Sequence, residues 1–168
     1  MITIDIDDRE VLSELSALRD RMANMLPAMR VVAQVMRSDV LDRFERQNTP
    51  DGTPWKPLSL AAILLRARRH APSGLKRRRA QTLARFAAGA KALIDTGVLR
   101  NSIQVVQVGR DMATVGTRIE YAALHQFGGR TGRGHSTTVP ARPYMGLSRE
   151  GKRELLEVIR QHIAGGLR

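Results

Sequence analysis

The sequence contains no cysteine. That absence excludes a disulfide framework, a thiol nucleophile and every Cys-ligated zinc or iron–sulfur site. Aromatic residues make up only 4% of the 168 positions, so a core must come mainly from Leu, Ile, Val, Met and Ala. No apolar run approaches the ~20 residues of a membrane span. The start, Met1 to Asp8, carries early acids where a secretory signal would carry basic residues and an apolar stretch. The expectation is a soluble chain, intracellular at synthesis, with no membrane contact. One further absence is local: residues 52–94 hold no Asp or Glu.

The same segment holds ten Lys and Arg, against 18 basic and 16 acidic residues in the rest of the chain, so it carries most of the net charge of +12. Its candidate contact residues are Arg66, Arg68, Arg69, Lys76, Arg77, Arg78, Arg79 and Arg85. Such a block attracts phosphates through counterion release, meets an acidic protein surface, or stays solvated. Phe86 is the only aromatic among the basic residues from Arg66 to Lys91, so a base-stacking platform is poorly supported. Over the whole chain, 42% hydrophobic and 26% charged residues describe a folded chain with one domain's length. A core of that size needs no staple.

Periodicity predicts an α+β fold. Ile2, Ile4 and Ile6 alternate with polar residues as in a half-buried strand. Val11, Leu15, Leu18, Met22, Met25, Met29, Val32 and Met36 then repeat at alternating steps of four and three, a heptad-like seam. The seam fits either packing within the domain or packing between subunits. Pro27 predicts a kink or break in this long helical region. Trp55 lies in a turn-rich loop and is expected to plug the core. Short helices are expected at 58–69 and 75–90, and another at about 96–102 with Asp95 or Thr96 as its cap. A small antiparallel sheet is expected from a hairpin over 103–117, then a helix at 119–127 ended by Gly128-Gly129. Residues 129–145 read as an extended arm or loop with a strand expected at 137–139, and Ser148 caps a C-terminal helix. The organisation is a single α+β domain over 1–168 with a basic helical insertion at about 61–90.

Chemistry-bearing constellations are missing. His70, His125, His135 and His162 show no metal-ligand spacing. The loop Gly128-Gly-Arg-Thr-Gly-Arg-Gly134 lacks the strand, the Gly-Lys-Ser/Thr ending and the helix of a phosphate loop. Ser148 sits in Gly-Leu-Ser, not in a nucleophile elbow. The expectation is a binding or assembly protein, not an enzyme, with no cofactor and no metal.

Five stretches carry a resemblance. They are Phe44-Glu-Arg-Gln-Asn-Thr-Pro-Asp-Gly-Thr-Pro-Trp-Lys-Pro57, Leu93-Ile-Asp-Thr-Gly-Val-Leu-Arg-Asn-Ser-Ile103, Val115-Gly-Thr117, Tyr121-Ala-Ala-Leu-His-Gln-Phe-Gly128 and Val139-Pro-Ala-Arg-Pro-Tyr-Met-Gly-Leu-Ser148. In this order they resemble the phage virion morphogenesis family, which includes tail completion proteins of tailed phages and Mu-like prophages. The resemblance implies a structural protein of the head–tail junction, or neck, that joins head to tail or terminates the tail. It implies a ring homo-oligomer, hexamer or dodecamer, whose partners are neck, portal-side or tail-tube proteins close to viral DNA. Its place would be the virion, after assembly in the host cytoplasm. On these motifs Trp55, Asp95, Leu99, Arg100, His125, Phe127, Arg142, Pro143 and Tyr144 are the expected interface or fold-defining residues. Tyr144 and Met145 are expected to order against a neighbour. A DNA-binding module and a tail-assembly chaperone absent from the mature particle stand as alternatives.

Overall fold

Pro27 divides the long helical pattern. The computed structural model describes residues 8–70 and 89–165. Helix α1 (Arg9–Ala23) stops short of the proline, and α2 (Leu26–Arg46) begins with Pro27 in its first turn. There the missing N–H breaks no helical hydrogen bond. Asp8 stands at the N-cap of α1 but makes no side-chain cap. The strand expected at Ile2, Ile4 and Ile6 and most of the helix expected at 75–90 lie outside the described residues.

Ser59 Oγ accepts from the Ala62 N–H at 3.2 Å and starts α3 (Leu60–His70). The next helix, α4 (Val98–Asn101), corrects an expectation. Its N-cap is Gly97 at φ 76, not Asp95 or Thr96, and this left-handed backbone suits glycine. Strands β1 (Gln104–Val108) and β2 (Ala113–Gly116) form the expected antiparallel hairpin, with an irregular register between Val105 and Gln107. Helix α5 (Ala122–Phe127) follows. The strand expected at 137–139 is β4 (Thr137–Val139), and part of the stretch read as an extended arm, β3 (Gly129–Thr131), pairs with it in a second hairpin. Helix α6 (Arg149–Ile163) starts where expected, with Ser148 Oγ accepting from the Gly151 N–H at 2.8 Å. Six helices and two separate two-stranded sheets among the described residues make the fold α+β.

An isolated two-stranded sheet is marginal in water, and α2 supplies the missing surface. It packs along β1 and β2 and also against α6, and Arg37 Nε donates to the Ile103 carbonyl at 2.9 Å. Two apolar clusters result. One gathers Val40, Phe44, Trp55, Leu99, Ile103 and Tyr144. The other joins Val32 and Val35 of α2 to Val158 of α6.

Asp39 links the two. It accepts from the Ser148 N–H at 2.8 Å and the Ser148 hydroxyl at 2.7 Å, and pairs with buried Arg43. Burial alone would raise its pKa. The Ser148 bonds and the Arg43 charge outweigh that effect and hold it below the ordinary carboxylate value. Gly151 leaves room for this contact, since a Cβ there would sit 2.7 Å from Asp39 Oδ2.

The seam read from the sequence divides at the same break as the helices. Val32 is 5% exposed, whereas Val11, Leu15 and Met22 are 58%, 55% and 57% exposed, and α1 has no buried residue. Its C-terminal end is held at α6 by His162, whose Nε2 lies 3.1 Å from the Arg21 carbonyl and 3.0 Å from that of Asn24. Two carbonyl acceptors place a proton on that nitrogen.

Candidate functional site

The motif residues converge from three distant stretches onto one end of α2. Phe44 of that helix stacks edge-on with Trp55 (ring centroids 5.8 Å apart) and tilted against Tyr144 (5.3 Å). Each polar tip is satisfied: Trp55 Nε1 donates to the Pro143 carbonyl at 2.9 Å and the Tyr144 hydroxyl to the Ala122 carbonyl at 3.2 Å. Burial, with Tyr121 nearby, raises the Tyr144 pKa to about 12. The Arg142 guanidinium crosses to the proline-rich loop, donating to the Lys56 carbonyl at 2.9 Å and the Pro57 carbonyl at 3.1 Å. Residues 55–57 and 142–144 are thus clasped together. Tyr144, expected to order against a neighbour, is 1% exposed within its own chain.

Two glutamines complete the clasp. Gln126 Oε1 accepts from the N–H groups of Tyr144 and Met145, both at 3.0 Å, which satisfies two donors of an extended stretch. Gln47, left-handed at the end of α2, donates to the Phe44 and Ala92 carbonyls and accepts from the Ala92 N–H. Sequence reasoning did not single out Asp39, Gln47 or Gln126 as site residues. Gln47 and Gln126 do fall inside the motif stretches, whereas Asp39 sits in a plain helical run and carries no local signal.

Beside the clasp, a cavity of about 450 Å³ opens between α3, α4 and α5. Asp95, Leu99, His125 and Arg142 line it together with Arg66 and Arg69. Asp95 is met by Arg69 at 3.0 Å and by Arg66 at 3.6 Å, while Arg66 also donates to the Lys91 carbonyl at 2.7 Å. These two arginines therefore have carboxylate and carbonyl partners within the chain. His125 stacks edge-on with Tyr121, and its Nδ1 is buried without a partner. Burial, then the Arg142 and Arg66 charges, lower its pKa and so disfavour the protonated ring. Arg100 lies outside the cavity, 3.2 Å from Glu45, which Lys91 also meets at 2.6 Å.

Phe127 is the exception among the motif residues. It is 77% exposed, the largest exposure of any big apolar side chain among the described residues. The exposed, basic hairpin carrying Arg130 and Arg133 follows it directly. Pro143 is half-buried and Arg68 exposed. Lys76, Arg77, Arg78, Arg79 and Arg85 lie outside the described residues. Among the described residues no three His, Asp or Glu side chains gather as a metal site, and no helix is long and apolar enough to cross a membrane.

The chain belongs to the phage virion morphogenesis family, whose model matches residues 6–164 and so spans the stretches that form the clasp. Among individual proteins it is similar to the Mu-like prophage FluMu G protein 2 of Haemophilus influenzae, 32% identical over 163 residues, with 96% of each chain covered. It is also similar to the putative capsid assembly protein G of Escherichia phage Mu, 32% identical over 173 residues, covering 99% of this chain and 97% of that one. No solved structure matches the chain at a significant level. Membership assigns it a structural or assembly role in making the phage particle.

Proposed function

We propose that the chain is a structural, non-catalytic subunit of the head–tail junction, a neck or tail-completion protein that forms a homo-oligomeric ring of six or twelve copies and joins head to tail or terminates the tail. The family match over 6–164 carries the reading. The relative from phage Mu is itself named for capsid assembly, which fits a role in building the particle. A closed ring needs two different patches on each copy that meet head to tail. Phe127 with the basic hairpin offers one patch, and the cavity at Asp95 and His125 a second of different shape and charge. Neighbouring neck, portal-side or tail-tube proteins would stack on the ring, in the virion and near the viral DNA.

The clasp residues serve this role by fixing the fold that presents those patches. DNA binding is the second reading, favoured by exposed Arg68 at the end of α3. It is weakened by the engagement of Arg66 and Arg69 with Asp95. Electron microscopy of particles from a phage lacking this gene tests the proposal. DNA-filled heads lying apart from tails, or tails of uncontrolled length, are the expected result. Normal joined particles would refute it.

A further inference from the structure

The apolar face of α1 is largely uncovered among the described residues, with Leu18 half-buried beside the end of α6. Val11, Leu15, Leu18 and Met22 repeat along it at steps of four, three and four, the spacing by which two helices interlock. Val11, Leu12, Leu15 and Met22 are each more than half exposed. A groove of about 560 Å³ runs between α1 and α6 beside Leu15, Leu18 and Ile163.

Charge along the groove selects the occupant. Glu10 and Glu14 line it from the N-terminal half of α1, and Arg21 and Arg160 line it toward the other end. A second α1 laid antiparallel sets Leu15 against the second copy's Leu18 and Val11 against its Met22. In that register Glu14 and Arg21 flank the seam on the same side, so each Glu14 faces an Arg21 of the other copy, twice in one pair. The aliphatic stem of Arg19 falls over the second copy's Leu12. A parallel pair would instead gather both copies' Glu10 and Glu14 at one end and both copies' Arg21 and Arg160 at the other. It would also bring both protein bodies to the same end, because α1 is anchored at its C-terminus by His162.

We propose that α1 is a self-association surface, pairing antiparallel with α1 of a second copy in a two-fold dimer of the free chain. A two-fold contact closes at two copies and does not propagate head to tail, so the pairing stands apart from the ring reading. A seam of four apolar layers is small for a protein interface, and the dimer should dissociate on dilution.

The lack of cysteine makes a direct test available. Val11→Cys and Met22→Cys chains, mixed and oxidised, should cross-link to each other while neither cross-links with itself. Analytical ultracentrifugation of the cysteine-free chain should show a concentration-dependent dimer. Leu15→Glu should weaken it about a hundred-fold and Glu14→Arg about ten-fold, and adding Arg21→Glu to Glu14→Arg should restore it. Circular dichroism establishes that each variant is folded. Cross-linking of Val11→Cys with itself would overturn the antiparallel arrangement. A monomer at every concentration would overturn self-association, and α1 amides protected from exchange in that monomer would assign the face to the chain's own remaining segments.

Discussion

The two halves of one apolar seam meet different fates. In α2 the seam is roofed by α6 and the β1–β2 hairpin: Val32 is buried, and Met29 and Met36 are half-buried in the same cluster. In α1 the same residue types at the same spacing are mostly exposed: Val11, Leu15 and Met22 lie in water and Leu18 is half-buried. Spacing states which face of a helix is apolar, and tertiary partners decide whether that face is covered within the chain or from outside. The clasp end of α2 is closed on itself, with three aromatic rings in contact and their polar tips hydrogen-bonded. The α1 end is open.

Stability measurements can break this contrast. Tyr144→Ala should have the largest effect, about 4 kcal/mol by chemical denaturation, because it empties a fully buried aromatic site and loosens the two segments of the clasp. Asp39→Ala should follow at about 3 kcal/mol, since it leaves the buried Arg43 charge without its partner and removes the acceptor at the start of α6. Losses near zero at these positions would mean that the clasp and the α2–α6 junction do not hold the chain together.

Acid should expose the same difference. The Asp39 pKa is depressed in the folded chain, so its contribution is present above the ordinary carboxylate value and fades as pH falls through it toward the folded value. The His125 pKa is also depressed, so the unfolded chain takes up a proton first and stability declines once pH drops below the ordinary histidine range. His125→Gln should flatten that upper part of the acid decline and leave the carboxylate part intact. An unchanged profile would place the pH sensitivity elsewhere. Smallest of all, Leu15→Ala measured on dilute chain should change stability by less than about 0.5 kcal/mol, as surface substitutions do. A core-sized loss there would mean that α1 is covered within its own chain.

Much of this was legible in the sequence. Pro27 marked the helix break, Ser148 the start of α6, and the alternation at 103–117 a hairpin, because each is a local rule acting on neighbouring residues. The motif order carried the family. The sequence did not reveal how the motifs are used. Trp55, Leu99, Arg142 and Tyr144 looked equally suited to a fold or an interface, and only the approach of 55–57 to 142–144 in space places them inside the chain. Asp95 read as a helix cap because it precedes one, whereas Gly97 takes that position and Asp95 turns to Arg66 and Arg69 from α3. Such pairings are set by long-range packing, which residue spacing does not encode.

Quantitative mass spectrometry of purified particles, with the protein located by antibody labelling in the electron microscope, tests the central functional claim most directly. A junction subunit predicts about six or twelve copies per particle, all between head and tail. A particle free of the protein, yet dependent on its gene for assembly, would contradict the account and assign the chain to a chaperone that leaves before the virion is complete.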